Sequence, residues 1–320
     1  MQLFKFLKDY KRMRNIVILV LTIILLPSIS SAQKWKRNRV EYSFGIGATN
    51  FLGDLGGANQ VGTNGPKDLE ISATRMGAVL GYRYQLGESW FVRGNFDYVM
   101  VAGDDALTKE PARNSRKLAF RSHLLELSAQ GEYMLIKQKS GHLYRLRGVR
   151  GKSWFRFEVY VFGGIGGIWY NPQSRNPDGE WKSLRKMHTE GQGLPGGPKQ
   201  YSGFTFVMPY GIGLRRNLGG SSRQGLWSIG LELSMRKTFS DYIDDVSNVY
   251  YDNDKIKAAY GDEAAYFADP SGKYSGLVDD GNGNKIGQQR GDKDDKDAYM
   301  LGIVSINFKP GKRRRNLPKF

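Results

Sequence analysis

Polar and apolar side chains alternate with a period of two in eight separate stretches of this 320-residue chain. The clearest is Leu226–Phe239. There Trp227, Ile229, Leu231, Leu233 and Met235 share one parity, and Ser228, Gly230, Glu232, Ser234 and Arg236 the other. Strand side chains point alternately to opposite faces, so the segment has one apolar and one polar wall. A strand of a soluble sandwich would read the same way, with the apolar wall as core. Repetition decides between them. Comparable patterns occupy Val40–Ala48, Ile71–Gln85, Trp90–Ala102, Arg121–Ile136, Trp154–Tyr170, Ser202–Arg216 and Tyr299–Phe308. Alternating segments of about ten residues, joined by turns, predict an all-β fold: an eight-stranded antiparallel transmembrane β-barrel. Pro209, inside the sixth segment, is expected to mark a bulge.

The connections alternate between long and short. Outer-membrane barrels keep short turns in the periplasm and long loops outside, which puts both ends of the barrel in the periplasm. The longest loop, 239–297, loses the β pattern over Asp254–Ala268, where alanines among charges predict a short helix on the outer rim. Trp90, Trp154, Trp169, Tyr170 and Trp227 are expected in aromatic girdles near the strand ends.

The first 32 residues have the layout of a secretion signal. Lys5, Lys8, Lys11, Arg12 and Arg14 precede an apolar run, Ile16–Leu26, and Ser30-Ser31-Ala32 offers small residues for cleavage. The run is too short for a membrane-spanning helix. Residues 33–39 read as a basic periplasmic lead, 40–308 as the barrel and 309–320 as a basic periplasmic tail. With no cysteine in the chain, disulfides, thiol catalysis and a lipid-modified cysteine are excluded. The expected location is the outer membrane of a Gram-negative cell, with its lipid as one partner.

Charge fits this layout. The net +17 concentrates in the periplasmic pieces: the lead, the 137–152 turn with Arg145, Arg147 and Arg150, and the tail with Arg313, Arg314 and Arg315. The 239–297 loop instead carries an excess of acids. A basic surface beyond what turn length requires predicts docking of a periplasmic protein, steered by charge. A nucleic-acid partner is not expected, since the leader and strand pattern point elsewhere.

The polar walls collect Glu41, Asp97, Glu126, Glu132, Glu158 and Glu232 against Arg75, Arg83, Arg93, Arg156, Arg215 and Arg236. An eight-stranded barrel has room inside for side chains and little else, so this balance predicts an ion-pair network filling the lumen. An ion or proton path is the sharper alternative. Asp241, Asp244 and Asp245, beside Tyr242, are expected in hydrated turns at the outer rim, with a Ca²⁺ site as the alternative. His123 next to Ser122 is the one hint of a lipid-modifying barrel enzyme. No nucleophile, zinc or phosphate-loop motif occurs, so a non-enzyme without cofactor or metal is expected.

Three motifs resemble a Bacteroidota outer-membrane β-barrel family that includes PorG-like type IX secretion proteins. They are Asn50–Gly57 (NFLGDLGG, with Gly53 and Asp54), Gly81–Tyr84 (GYRY) and Arg236–Ser247 (RKTFSDYIDDVS, with Asp241, Tyr242, Asp244 and Asp245). The resemblance implies an eight-stranded barrel with a structural, anchoring role in protein secretion and a secretion-ring lipoprotein as its periplasmic partner. A small channel or transporter is the alternative.

Overall fold

The alternation becomes a closed ring. Strands β1 (Val40–Leu52), β2 (Arg75–Gln85), β3 (Trp90–Asp104), β4 (Ala119–Ile136), β5 (Glu158–Arg175), β6 (Phe204–Ser221), β7 (Gly225–Thr238) and β8 (Ala298–Lys309) each pair antiparallel with the next. The last returns to the first, with Ala48 opposite Gly302. The ring leaves no strand edge exposed, as a lipid environment demands. The computed structural model describes residues 39–55, 71–108, 111–137, 157–221, 225–274, 278–279, 285–293 and 295–311. The leader, most of the 137–152 turn and the tail beyond Gly311 lie outside these.

The apolar wall faces out. Leu233 is 55% exposed and its neighbour Glu232 only 4%, the reverse of a water-soluble core. Phe44, Ile46, Leu80, Leu127, Ile212 and Ile306 continue the outward band around the ring. No helix among the described residues is long and apolar enough to cross a membrane, and the strands do the crossing. Trp90 packs on Tyr133 and Trp227 on Phe308 at the periplasmic rim. Trp169 packs on Phe204 nearer the other end. Tyr170 departs from the girdle reading: it points inward and is buried.

Strand ends differ from the sequence reading on the outer side. β1 runs on to Leu52 and β5 to Arg175, because above the membrane the strands continue into a folded cap. Ile71–Ala73 forms a 3₁₀ turn instead of opening the second strand. Pro209 makes no bulge. It interrupts the ladder to β5, where pairing resumes at Gly166–Val207 in the same register as Gly163–Tyr210. Its missing N–H thus costs one stretch of ladder but leaves the register intact.

The inner wall is layered. At the periplasmic end Phe91, Met134, Tyr160 and Phe162 cluster. Charged groups fill the middle. Near the outer end the wall turns apolar, with Val99, Val101, Leu124, Ile168, Val207, Leu301 and Ile303. Loop residues Leu184, Ile243, Val246 and Phe267 descend onto these. Burying a Leu or Phe side chain contributes about 1.5–3 kcal/mol, so the loops are held down as a cap.

The helix expected on the rim is two helices, α2 (Asn253–Tyr260) and α3 (Asp262–Ala268), preceded in the chain by a short α1 (Pro111–Arg116). Asp252 caps α2 by accepting the Asp254 amide. Gly261, at φ 94°, ends it in a conformation that other residues resist. Ile256, Ala264, Phe267 and Ala268 are buried. The pair therefore packs into the cap and is not laid loosely on the rim.

Candidate functional site

The sequence singled out twelve lumen charges, and the structure joins nine of them. Glu41 lies 2.8 Å from Arg215 and 3.5 Å from Arg83. Arg83 passes to Glu132, which meets Arg93 at 3.0 Å. Arg93 forks onto both oxygens of Glu232 and donates to Gln130 Oε1 (2.9 Å). Glu232 also accepts the Tyr160 hydroxyl (2.6 Å). Higher up, Arg236 spans Asp97 (3.0 Å) and Glu126 (2.8 Å), and Tyr299 donates to the same Glu126 oxygen (2.8 Å).

Aromatic faces complete the shell. Arg83 lies over Phe91, Arg93 over Phe162 and Arg215 over Tyr160. Planar guanidinium groups suit such stacking together with forked carboxylate pairing. Every one of these nine charges is buried, and pairing offsets the desolvation that an isolated buried charge would incur.

Three of the twelve stand apart. Arg75 sits at the outer rim, donating to the Ser72 and Thr74 carbonyls. Glu158 is at the periplasmic mouth, where it accepts from Asn217. Arg156 lies outside the described residues, as do Arg145, Arg147, Arg150, Arg313, Arg314 and Arg315. The joined set has five carboxylates and four guanidinium groups. The fifth cation is Lys309, missed because it closes the last strand and reads as part of the basic tail. Its ammonium donates to Gln85 Oε1 (3.1 Å) within electrostatic reach of Glu41.

Asp241, Asp244 and Asp245 overturn the expectation of hydrated rim turns: all three are buried. Asp244 accepts the amides of Leu55 (3.1 Å) and Val246 (3.0 Å). Asp241 accepts the Ser247 hydroxyl, and Asp297, buried beside them, accepts the Ile243 amide (2.8 Å). Asp54 reaches across to the Asp292 amide (2.7 Å). Gly53 backs onto this group so closely that a Cβ would fall 2.5 Å from Asp297 Oδ1. The two long motifs, far apart in sequence, thus clasp each other.

Asp245 belongs to a second knot. It accepts from Thr189 (2.5 Å) and Tyr201 (2.6 Å), while Arg290 reaches Glu190 at 3.0 Å. Glu190 also takes the amides of Ser247 and Asn248, and Tyr242 donates to it (3.3 Å).

Burial raises the carboxyls of this clasp, and like charges nearby add to it. Asp54 rises to about 6, Asp241 to about 7 and Asp245 to about 6. Asp244 and Asp297 go well above the ordinary range, each pushed by burial and then by neighbouring carboxylates. Their bonds run to separate amides and hydroxyls and do not converge on one centre. Among the described residues no group of three or more His, Asp or Glu is placed to hold a metal ion.

Ser122 and His123 are not brought together. Ser122 is fully buried toward the interior, whereas His123 lies on the outward wall, its Nδ1 2.8 Å from the Tyr98 hydroxyl.

No family model matches the chain, and no curated protein does. Among solved structures it is similar to Ail of Yersinia pestis, at 11% identity over 84% of this chain and 99% of that one, with a TM-score of 0.33. The outer membrane protein OprG from Pseudomonas aeruginosa gives 9%, 86%, 98% and 0.34. The outer membrane protein AlkL gives 12%, 90%, 97% and 0.30. The closed ring of eight antiparallel strands with its apolar face turned outward is the architecture of an outer-membrane barrel.

Proposed function

We propose that the protein is a sealed, non-enzymatic anchor in the outer membrane that serves a protein-secretion machine through its periplasmic face. One observation carries the anchoring half. Charged groups interlock across the middle of the lumen beneath a cap with its own apolar core, an arrangement that favours rigidity over passage. The motif resemblance at Asn50–Gly57 and Arg236–Ser247 supports the finer reading, a PorG-like component of type IX secretion whose partner is a periplasmic lipoprotein. The basic residues Arg145, Arg147 and Arg150, with Arg313, Arg314 and Arg315, are the charges proposed to meet it.

Replacing Arg145, Arg147 and Arg150 by Ser tests this in the native outer membrane. The barrel should still insert and keep its heat-modifiable gel mobility. Partners co-purified with the wild type should be recovered severalfold less, with less dependence on salt. Unchanged recovery of the same partners would reduce the basic turn to a membrane-surface adaptation.

A further inference from the structure

A cleft of about 510 Å³ opens on the outer rim, between the upper ends of β3, β4 and β5 and the cap. Four cations line it, Arg75, Lys117, Arg121 and Arg175, against one acid, Asp104. That acid is engaged, accepting the Ala106 amide (2.8 Å). None of the four cations belongs to an ion pair among the described residues. The buried arginines of the barrel and cap, Arg83, Arg93, Arg215, Arg236 and Arg290, each meet a carboxylate, whereas these four do not.

The cations are also held in place. Arg121 and Arg175 both lie over the Trp181 ring, their Cζ atoms 3.5 and 4.7 Å from its centroid. Trp181 is fixed by strand pairing to Arg175, and Arg121 Nε is tied to Gln173 Oε1 (3.2 Å). One indole therefore steadies two like charges, with no carboxylate paired to either among the described residues. Such planar forks suit bidentate contact with phosphate oxygens. Lys117, at φ 58°, is held in a backbone conformation uncommon for a residue with a side chain.

Depth selects the source of the phosphate. Arg121 and Arg175 lie on the outward walls of β4 and β5, above Leu125 and Trp169, which are paired across the strands and exposed in the apolar band. Four residues of tilted strand raise Arg121 about 10 Å above Leu125. That height is the headgroup layer beside the barrel. We propose that this cleft binds the phosphates of an outer-leaflet glycolipid, gripped by Arg121 and Arg175 with Lys117 above them.

The test uses the mature protein in phosphatidylcholine nanodiscs doped with bisphosphorylated lipid A, with retained lipid read by native mass spectrometry. Wild type should retain the lipid, and R121Q/R175Q should lose at least tenfold in retention. Dephosphorylated lipid A should bind wild type as weakly as that variant, with no further loss when the two are combined. K117Q, which touches no aromatic stack, should give a smaller loss in the same direction. K182Q, whose charge is paired to Glu180 and Glu263, should change nothing. Protease resistance of the cap reports that each variant is folded. Equal retention by folded R121Q/R175Q, or indifference of wild type to the phosphates, overturns the proposal. Displacement of the lipid by inorganic pyrophosphate at comparable concentration would assign the cleft to a soluble anion and overturn the lipid assignment.

Discussion

Arg93 shows what one side chain does in the lumen. It answers two carboxylates and an amide from the midpoint of the network. Shortening it to Ala takes a partner from Glu232 and from Glu132, both buried. Removing one partner of a buried pair costs about 3–5 kcal/mol, so R93A should lower stability by about that much, measured by urea unfolding on gel mobility. Removing both partners as R93M/E232M should recover most of the loss, because apolar groups of similar volume replace a buried pair at little net cost. Equal losses for the two variants would mean that packing volume, and not charge compensation, sets the price.

The cap is the element whose behaviour depends most on pH. Asp54, Asp241, Asp244 and Asp297 face one another, with Arg113 and Arg116 near Asp54 and Lys296 near Asp241 and Asp297. Their folded-state affinities for protons are raised, so the folded cap binds protons more tightly than the unfolded chain does. That contribution is present in acid and is lost as pH rises through about 6 to 7. Hydrogen exchange in 241–248, corrected for the intrinsic pH dependence, should show less protection at pH 8 than at pH 5. D241N keeps an acceptor for Ser247 and removes one negative charge. It should flatten that dependence and raise the melting temperature at pH 8 by a few degrees, whereas an unchanged profile would locate the titration elsewhere.

These two regions also mark where sequence reasoning reached and stopped. The strands were legible because lipid on one side and charge on the other impose a strict period of two on both walls. The lumen charges followed from the same parity. Arg75 and Glu158 carried the right residue type at strand ends, where parity no longer assigns depth. The cap was hidden for a different reason. Aspartates in a loop ordinarily mean hydration, and nothing local to residues 241–245 announces that Leu55 supplies an amide to Asp244 from 189 positions away. Only the resemblance of the two motifs to those of a known barrel family hinted that they matter.

At the scale of the whole molecule, the layered interior predicts an electrical result. In planar bilayers the protein should show no sustained openings, because charge pairs cross the middle of the lumen and an apolar core closes the outer end. Stable conductance on a nanosiemens scale would support the channel alternative.

The clasp has one further consequence. A ring of strands in a bilayer has a seam, the place where first and last strands meet, and here it lies between β1 and β8. Asp54 follows β1, Asp297 immediately precedes β8, and Gly53 rests against Asp297. With the Leu55 amide bonded to Asp244, the clasp straddles that seam at its outer end like a buckle. Strand hydrogen bonds alone leave a seam no stronger than any other pair. The buckle adds a hold against sideways parting of β1 and β8 toward the lipid that the strand hydrogen bonds alone do not supply.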